Sequence, residues 1–314
     1  MEGEALTSWL VRIAEARGRL PFQLMQDLVP GLQFWNRDGD LLPSRQLTTA
    51  LASRTTVPEL EIGRLQLRSL EGVLDERIDG VSQSPMVRPL GVYHRVRRAH
   101  GQQYCPACLD EPKRYYRLTW RLTLFPTCTR HGLALRDDCP ACATPIVPHR
   151  GGLTRCHACA SDLRRGPLVR ADPSVLQLQH HGQRVLAGHP VTYPGLLGIH
   201  PLAFFGLQLH LMSRLLSPGR FSRLRDLAGS DGLPDTRGAR PHPRHLTSAS
   251  AHTMMSVVER LLRGWPFMLI GHCLERGVYR SWLLGDVRSG RAPFELHRSC
   301  AGYLSPGSAR VTPR

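Results

Sequence analysis

The sequence has almost no lysine and no long apolar run. Lys113 is the single lysine among 41 basic residues, so nearly all of the positive charge is carried by arginine. No apolar run approaches the roughly 18 residues that a membrane helix needs, and residues 1–20 lack the uninterrupted apolar core of a signal peptide. These absences argue against a membrane-spanning or a secreted protein. We therefore expect a soluble, cytoplasmic chain with reduced thiols.

Several catalytic motifs are also missing. The sequence has no Gly-rich phosphate loop ending in Gly-Lys-Ser or Gly-Lys-Thr, which excludes ATP hydrolysis of the P-loop type. It has no His-x-Glu, which a zinc deaminase places before its Pro-Cys-x-x-Cys. A redox Cys-x-x-Cys belongs beside a strand-helix-strand unit, and no such unit accompanies the cysteines of this chain. We therefore expect no enzymatic activity.

What the sequence does have is a dense series of cysteine pairs. Two such pairs supply the four thiolate or imidazole donors of a tetrahedral Zn²⁺ site. A disulfide scaffold, the alternative, needs an oxidising compartment. Seven of the nine cysteines and one histidine form four pairs with two-residue gaps: Cys105-Pro-Ala-Cys108, Cys128-Thr-Arg-His131, Cys139-Pro-Ala-Cys142 and Cys156-His-Ala-Cys159.

These eight donors predict two structural zinc ions. Four protein ligands at each ion leave no position for a catalytic water. His157 lies inside the last pair and is an alternative to one of its cysteines as a ligand. The simplest assignment joins neighbouring pairs, with a first site at Cys105, Cys108, Cys128 and His131 and a second site at Cys139, Cys142, Cys156 and Cys159.

Helical periodicity fills much of residues 1–104. Apolar residues recur at helical spacing over 5–17, and further helices are predicted over 21–28, 44–53 and 58–67. The last two, joined by a short turn, have the length of a helix-turn-helix. This part of the chain is nearly neutral, with 13 arginines against 12 acidic residues. The last helix is therefore either a DNA-reading helix or part of a protein-docking or purely structural bundle.

Two segments carry candidate contacts for nucleic acid or a partner. Residues 82–103 are a linker or extended arm whose basic cluster either grips phosphates or forms a solvated turn. Residues 113–121 predict a short amphipathic helix, with Tyr116 and Trp120 in the core and the basic side chains on the outer face. The candidates, which include two arginines after the last cysteine pair, are Arg95, Arg97, Arg98, Lys113, Arg114, Arg117, Arg121, Arg164 and Arg165.

The chain after residue 165 is strongly basic and largely helical. It holds 18 arginines against eight acidic residues. An exposed linker near 230–248 is indicated by its glycine, proline and charged residues. Helices are predicted over 174–186, 201–216, 251–262 and 267–274.

A series of motifs runs from about residue 5 to about residue 165. In order and spacing this series resembles the TniQ family, which includes the TnsD-type target selectors of bacterial transposons. The segment Gly264-Trp265-Pro266 resembles the C-terminal part of longer members. The motifs are Ser8-Trp9-Leu10 with Arg12, Tyr104-Cys105-Pro-x-Cys108, Tyr116-Arg117-Leu118-x-Trp120-Arg121, Cys128-x-x-His131-Gly132, Cys139-Pro-x-Cys142 and Cys156-x-x-Cys159.

The resemblance implies a mainly α fold with small zinc-ribbon β elements, divided into three parts. Residues 1–104 would form a helical, helix-turn-helix-like domain with a basic linker. Residues 105–165 would form a tandem zinc-ribbon module, and residues 166–314 a basic helical C-terminal domain. The eight cysteine and histidine ligands correspond to those of the family position by position, whereas no motif match identifies the DNA-contacting residues.

The resemblance also implies a function. Family members are adaptors, so we expect a non-catalytic target-selection adaptor of a bacterial transposition system. It would recognise target DNA or an RNA-guided CRISPR effector complex and recruit an AAA+ ATPase, which brings the transposase. The near-neutral first domain favours an alternative, a protein-only adaptor that caps the ATPase filament without reading DNA. A zinc-containing DNA-binding transcriptional regulator is the other alternative.

Overall fold

Ten α-helices and two short antiparallel hairpins form the described part of the chain. The computed structural model describes residues 1–41, 45–79, 84–93, 96–216, 242–278 and 283–284. The predicted mainly α fold with few β elements is confirmed. The strands β1 (Val92–Tyr93) and β2 (Val96–Arg97) pair with each other, as do β3 (Thr127–Cys128) and β4 (Leu133–Ala134). The helices are α1 (Leu6–Ala16), α2 (Pro21–Leu28), α3 (Arg45–Arg54), α4 (Glu59–Arg64), α5 (Pro106–Asp110), α6 (Pro148–Gly151), α7 (Pro173–Leu186), α8 (Pro201–Leu216), α9 (Ser248–Leu262) and α10 (Phe267–Glu275).

Helix α1 forms where the apolar period predicts it, and it buries the face that the period defines. Leu6 and Leu10 have no exposed surface. Both the backbone N and Oγ1 of Thr7 donate to the carboxylate of Asp40, each at 2.9 Å. The first turn of a helix leaves its amides without intrahelical partners. Asp40 therefore satisfies the start of α1 from a loop more than thirty residues away in the chain.

The α3–α4 hairpin occupies the place of the predicted helix-turn-helix, but α4 is shorter than the predicted 58–67. It ends at Arg64, after which the chain continues as a 3₁₀ helix. Glu59 and Glu61 lie in its first turn, and Leu60 between them is 69% exposed. Because nucleic-acid affinity depends on neutralising phosphates, an acidic first turn is a poor surface for DNA.

The prediction of a helix over 113–121 is wrong, although Tyr116 and Trp120 are buried as predicted. Only a 3₁₀ helix, Leu118–Arg121, forms there. Tyr116 and Trp120 are each 1% exposed, and their rings meet edge to face with centroids 5.8 Å apart. Backbone pairing with the N-terminal segment competes with the helix, since Ala5 N donates to Tyr116 O at 3.0 Å and Leu118 N donates to Gly3 O at 2.7 Å.

Arg121 lies inside the structure. The prediction that the basic side chains of 113–121 all lie on an outer face is therefore wrong for this residue. Its guanidinium has no exposed surface. It donates to Asp38 at 2.6 and 3.0 Å, to Asp40 at 3.2 Å and to the carbonyl of Arg88 at 3.0 Å. Burial lowers the pKa of Arg121, but the two carboxylates outweigh burial and raise it. The guanidinium is therefore a charged link between three segments of the chain.

Residues 84–90 lie mostly in the interior, whereas the β1–β2 hairpin that follows exposes Gly91, Val96 and Arg98. Val87 forms an isolated bridge with Leu122, and Arg88 N donates to Arg121 O at 2.9 Å. The Arg88 side chain is 2% exposed, and its Nη2 lies 2.8 Å from Asp137 Oδ2. Residues 84–90 are therefore a largely buried connection and not a free linker.

Two hydrophobic cores fill the described residues, and both cross the predicted domain boundaries. One core joins α1 and α2 to the cysteine-rich module, with Leu10, Tyr116 and Leu163 all buried in it. The other gathers the C-terminal helices α7 to α10 around apolar residues from 67–87 and 118–125. The division into three domains at residues 104 and 165 stays a prediction.

The C-terminal helices α7 to α10 confirm the four helices predicted there. Of the predicted linker near 230–248, residues 230–241 lie outside the described residues. Residues 242–248 are described, and they do not form an exposed linker. A 3₁₀ helix, Pro243–His245, and the buried Leu246 lead directly into α9, whose first turn is capped by the Thr247 side chain. Among the described residues, every helix is too short or too polar to cross a membrane.

We expect Arg121→Met to lower the free energy of unfolding by about 3–5 kcal/mol, because Asp38 and Asp40 would lose the cation that neutralises them in a buried site. Arg64→Met is the matched control, since both partners of the Arg64–Glu61 pair are exposed and such pairs contribute at most about 1 kcal/mol. Urea unfolding followed by circular dichroism measures both changes. Equal losses in the two variants would contradict a central role for Arg121.

Candidate metal centres

The first cluster brings together four donors, Cys105, Cys108, Cys128 and His131, within 4.8 Å of one another. The Cys108 and Cys128 sulfurs are 3.6 Å apart. His131 Nδ1 lies 3.2 Å from Cys108 Sγ and 3.6 Å from Cys128 Sγ. Local elements position them: α5 starts directly after Cys105 with Pro106 at its first position, and the β3–β4 hairpin carries the other two donors.

A carboxylate fixes the orientation of the histidine ring. His131 Nε2 lies 3.1 Å from Glu111 Oε1, so that Nδ1 faces the three sulfurs. Arg130 Nε also donates to Glu111 Oε1, at 2.6 Å, and holds the carboxylate in place. A carboxylate partner of this kind sets the tautomer and direction of a metal-binding histidine.

The second cluster brings Cys139, Cys142, Cys156 and Cys159 within the same 4.8 Å limit. The Cys139 and Cys159 sulfurs are 3.6 Å apart, as are those of Cys142 and Cys156. Thr144 Oγ1 lies 3.1 Å from Cys142 Sγ and 3.4 Å from Cys156 Sγ. Cys159 is exposed, whereas Cys139 and Cys156 are buried. This cluster therefore lies nearer the surface than the first.

Tight turns hold the ligand pairs, and three of them share one conformation. In each, the residue after the second ligand donates its N–H to the carbonyl of the first ligand. These residues are Gly132, Ala143 and Ala160, with left-handed φ angles of 64°, 55° and 58°. A non-glycine residue in this region costs about 1–2 kcal/mol. Something beyond local preference must therefore hold Ala143 and Ala160, and a metal ion bound by the flanking cysteines would do so.

The geometry of both clusters fits zinc. A tetrahedral ion with Zn–S bonds of about 2.3 Å places its sulfurs about 3.8 Å apart, and the sulfur separations of 3.6 Å are close to this value. Hydrogen bonds with Cys105 and Cys108 lower the pKa of Cys128 to about 2, while those with Cys105 and Cys128 raise the pKa of Cys108. A divalent cation would let all of these crowded thiols ionise together.

The two clusters contain the eight residues that the spacing assigns, in the same two sets. His157, the alternative ligand of the last pair, belongs to neither cluster among the described residues. The clusters can each hold a metal ion, and zinc is the ion that their donors favour.

Contacts to the ligands also come from residues that sequence reasoning missed. Ser161 Oγ lies 3.2 Å from Cys159 Sγ, and Thr144 contacts two sulfurs of the same cluster. Each lies two residues after the second cysteine of its pair, and this shared spacing is a signal that could have identified them. Glu111 carries no such signal, because only the fold brings it to His131.

The basic residues predicted to contact nucleic acid or a partner differ in how deeply they are buried. Arg97 is 8% exposed, and its Nη2 donates to the carbonyls of Trp35 at 3.4 Å and Arg37 at 3.2 Å. Burial lowers the pKa of Arg97. Like Arg121, Arg97 is buried and bonded to other parts of the protein. For this residue, the predictions of a phosphate contact and of a solvated turn are therefore both wrong. Arg164 lies 2.6 Å from Asp162.

The remaining candidates offer more surface. Arg98, Lys113 and Arg165 are exposed, and Arg114 and Arg117 are half-buried. The Arg117 guanidinium lies over the Tyr115 ring, 4.8 Å from its centroid. Arg95 lies outside the described residues.

Comparison with known families agrees with this arrangement. The TniQ family model matches residues 1–135, in agreement with the resemblance seen in the motifs. The matched part contains the whole first cluster and ends before the second. No curated protein matches the chain. A likeness to this family suggests a transposition-associated protein.

We expect Cys105→Ser and Cys142→Ser each to remove one of two zinc ions per chain and to unfold the turn around the lost ion, since metal binding and local folding are coupled in such sites. Elemental analysis of the purified chain measures the metal content, and thermal unfolding measures the stability. Cys273→Ala is the control, because Cys273 is buried in the other core and belongs to neither cluster. Full zinc content in the two serine variants would show that the ligands are assigned wrongly.

Proposed function

We propose that this TniQ family protein is a non-catalytic adaptor that selects the target of a bacterial transposition system. It recognises target DNA or an RNA-guided effector complex and recruits an AAA+ ATPase, which brings the transposase. The family match over residues 1–135 carries the proposal. The two zinc ions act as scaffold, because each cluster supplies four protein donors and so fills a tetrahedral site.

The surface of the N-terminal bundle suits a protein partner better than DNA. Leu20 is 65% exposed, Phe22 50% and Leu60 69%. Glu59 and Glu61 flank Leu60 in the first turn of α4. Exposed apolar and aromatic side chains are typical anchors of protein interfaces, whereas the acidic groups repel phosphates. We assign the ATPase or the effector complex to this surface.

DNA contacts are assigned to the chain that follows. Residues 105–165 carry ten basic residues against five acidic ones, and residues 166–314 carry 18 arginines against eight acidic ones. Lys113 and Arg165 are exposed within the first of these segments. An excess of cations of this kind supplies the non-specific attraction to the DNA backbone. The second candidate function is a protein-only adaptor that does not read DNA. The observation that favours it is the acidic and apolar surface of α4.

We expect the full-length chain to bind a fluorescein-labelled DNA duplex with an affinity that falls steeply with salt. The logarithm of the binding constant should fall against the logarithm of the salt concentration with a slope of about −0.9 for each phosphate contacted. Fluorescence anisotropy between 50 and 200 mM NaCl, the range over which such slopes are about linear, measures it. Absence of salt-dependent binding would favour the protein-only adaptor over direct DNA recognition.

We expect Leu60→Arg to abolish co-purification with the AAA+ ATPase of the same transposition locus, because the charge would replace an exposed apolar side chain of the proposed interface. Leu197→Arg is the matched control, since Leu197 is 71% exposed but lies in the C-terminal part of the chain. DNA binding should be unchanged in both variants. If both retained the ATPase equally, the ATPase would not bind this surface, and the effector complex would be its remaining candidate partner.

A further inference from the structure

The hairpin of the first metal cluster carries an additional extended segment along one side. Residues 168–170, called the edge segment below, run antiparallel to β4. Ala134 N donates to Val169 O at 2.9 Å, and Ala171 N donates to Gly132 O at 3.0 Å. Strand β3 occupies the other side of β4. The edge segment therefore forms one border of a small three-stranded arrangement.

The backbone of the edge segment has unused groups on its outer side. Residues along a strand direct their backbone groups alternately to its two sides, so Leu168 and Arg170 face away from β4 when Val169 and Ala171 face it. Among the described residues, the N–H and C=O groups of Leu168 and Arg170 have no hydrogen-bond partner. Two donors and two acceptors thus lie in the row with which a further strand would pair.

The side chains of the edge segment are open to solvent as well. Leu168 is 60% exposed and Val169 54%, and Arg170 is also exposed. Because side chains alternate along a strand, these residues lie on both faces of the segment. An unpaired edge with exposed apolar side chains is a template for pairing with another chain.

Both ends of the edge segment are fixed before any partner arrives. Pro167 precedes it and has no N–H to offer. Asp172 follows it as the N-cap of α7, where its carboxylate accepts from Ser174 N at 2.8 Å. The pairing with β4 holds the residues between these ends. Such preorganisation reduces the entropy that binding costs.

The charge around the edge segment indicates the chemistry of a partner. Residues 163–171 contain three arginines and no acidic residue. Arg164 is paired with Asp162, whereas Arg165 and Arg170 are exposed. A carboxylate opposite Arg170 on an incoming strand would be favourable, whereas a second copy of this chain would bring like charges together. A phosphate backbone offers only acceptors, so it would leave both outer carbonyls unpaired.

We propose that the edge segment binds an extended, acidic segment of a partner protein as an additional β-strand. Hydrogen bonds to the backbone of Leu168 and Arg170 provide the affinity, and the charge of Arg170 selects acidic side chains. The inference does not rest on the proposed function, because it needs neither the ATPase nor target DNA.

A fluorescein-labelled peptide of alternating glutamate and valine is the probe, and its anisotropy is measured with the full-length chain. We expect saturable binding that weakens about threefold or more in Arg170→Glu, which turns attraction into repulsion, and in Leu168→Pro, which removes an outward N–H but no bond to β4. Arg64→Glu, the same charge reversal in α4, should bind like the wild type. Absence of saturable binding by the wild type, or equal affinity in all variants, would overturn the proposal.

Hydrogen–deuterium exchange tests the backbone pairing itself. With the peptide at saturation, the amide hydrogens of Leu168 and Arg170 should exchange about tenfold or more slowly than in the free chain. A matched peptide of alternating lysine and valine should give neither binding nor protection. Unchanged exchange with the glutamate peptide, or equal binding of the lysine peptide, would contradict the pairing.

Two other occupants of the edge segment would give different results. If a second copy covers it, the wild type should sediment as a dimer that Leu168→Pro converts to a monomer, and the peptide should not bind. If DNA covers it, Arg170→Glu should reduce the salt slope of duplex binding by about 0.9, again without peptide binding. Either result would overturn the proposal.

Discussion

The buried ion pair between Arg121 and the carboxylates of Asp38 and Asp40 is the interaction on which the neighbouring segments depend. A guanidinium without exposed surface is tolerated only when its charge and its hydrogen bonds are satisfied. Asp40 also binds the first turn of α1 through Thr7, and Arg121 binds the carbonyl of Arg88. One cation therefore fixes the loop before α3, the start of α1 and the largely buried segment 84–90 relative to the first metal cluster.

The cysteine clusters extend this arrangement rather than form a separate unit. Ser8 Oγ accepts from Tyr116 N at 2.8 Å, and Leu153 N donates to Glu15 Oε1 at 3.0 Å. Helix α1 is thus bonded both to the segment between the ligand pairs and to the turn before Cys156. Since metal binding would be coupled to the folding of these turns, loss of either ion should disturb the surface of the N-terminal bundle as well.

This coupling suits an adaptor. The proposed protein-binding surface is acidic and apolar, whereas the proposed DNA contacts lie on basic segments that follow it in the chain.

Sequence by itself determined the features that depend on local spacing. The two-residue gaps fixed which eight side chains form the clusters, because each pair lies on one tight turn, and the apolar period located α1, α2 and the C-terminal helices. The same periodicity failed over 113–121, where pairing with residues 3–5 replaced the helix. Only the tertiary structure decided that Arg121 and Arg97 are internal and that Glu111 orients His131, since the free energy of a buried charge depends on distant partners that no local pattern contains.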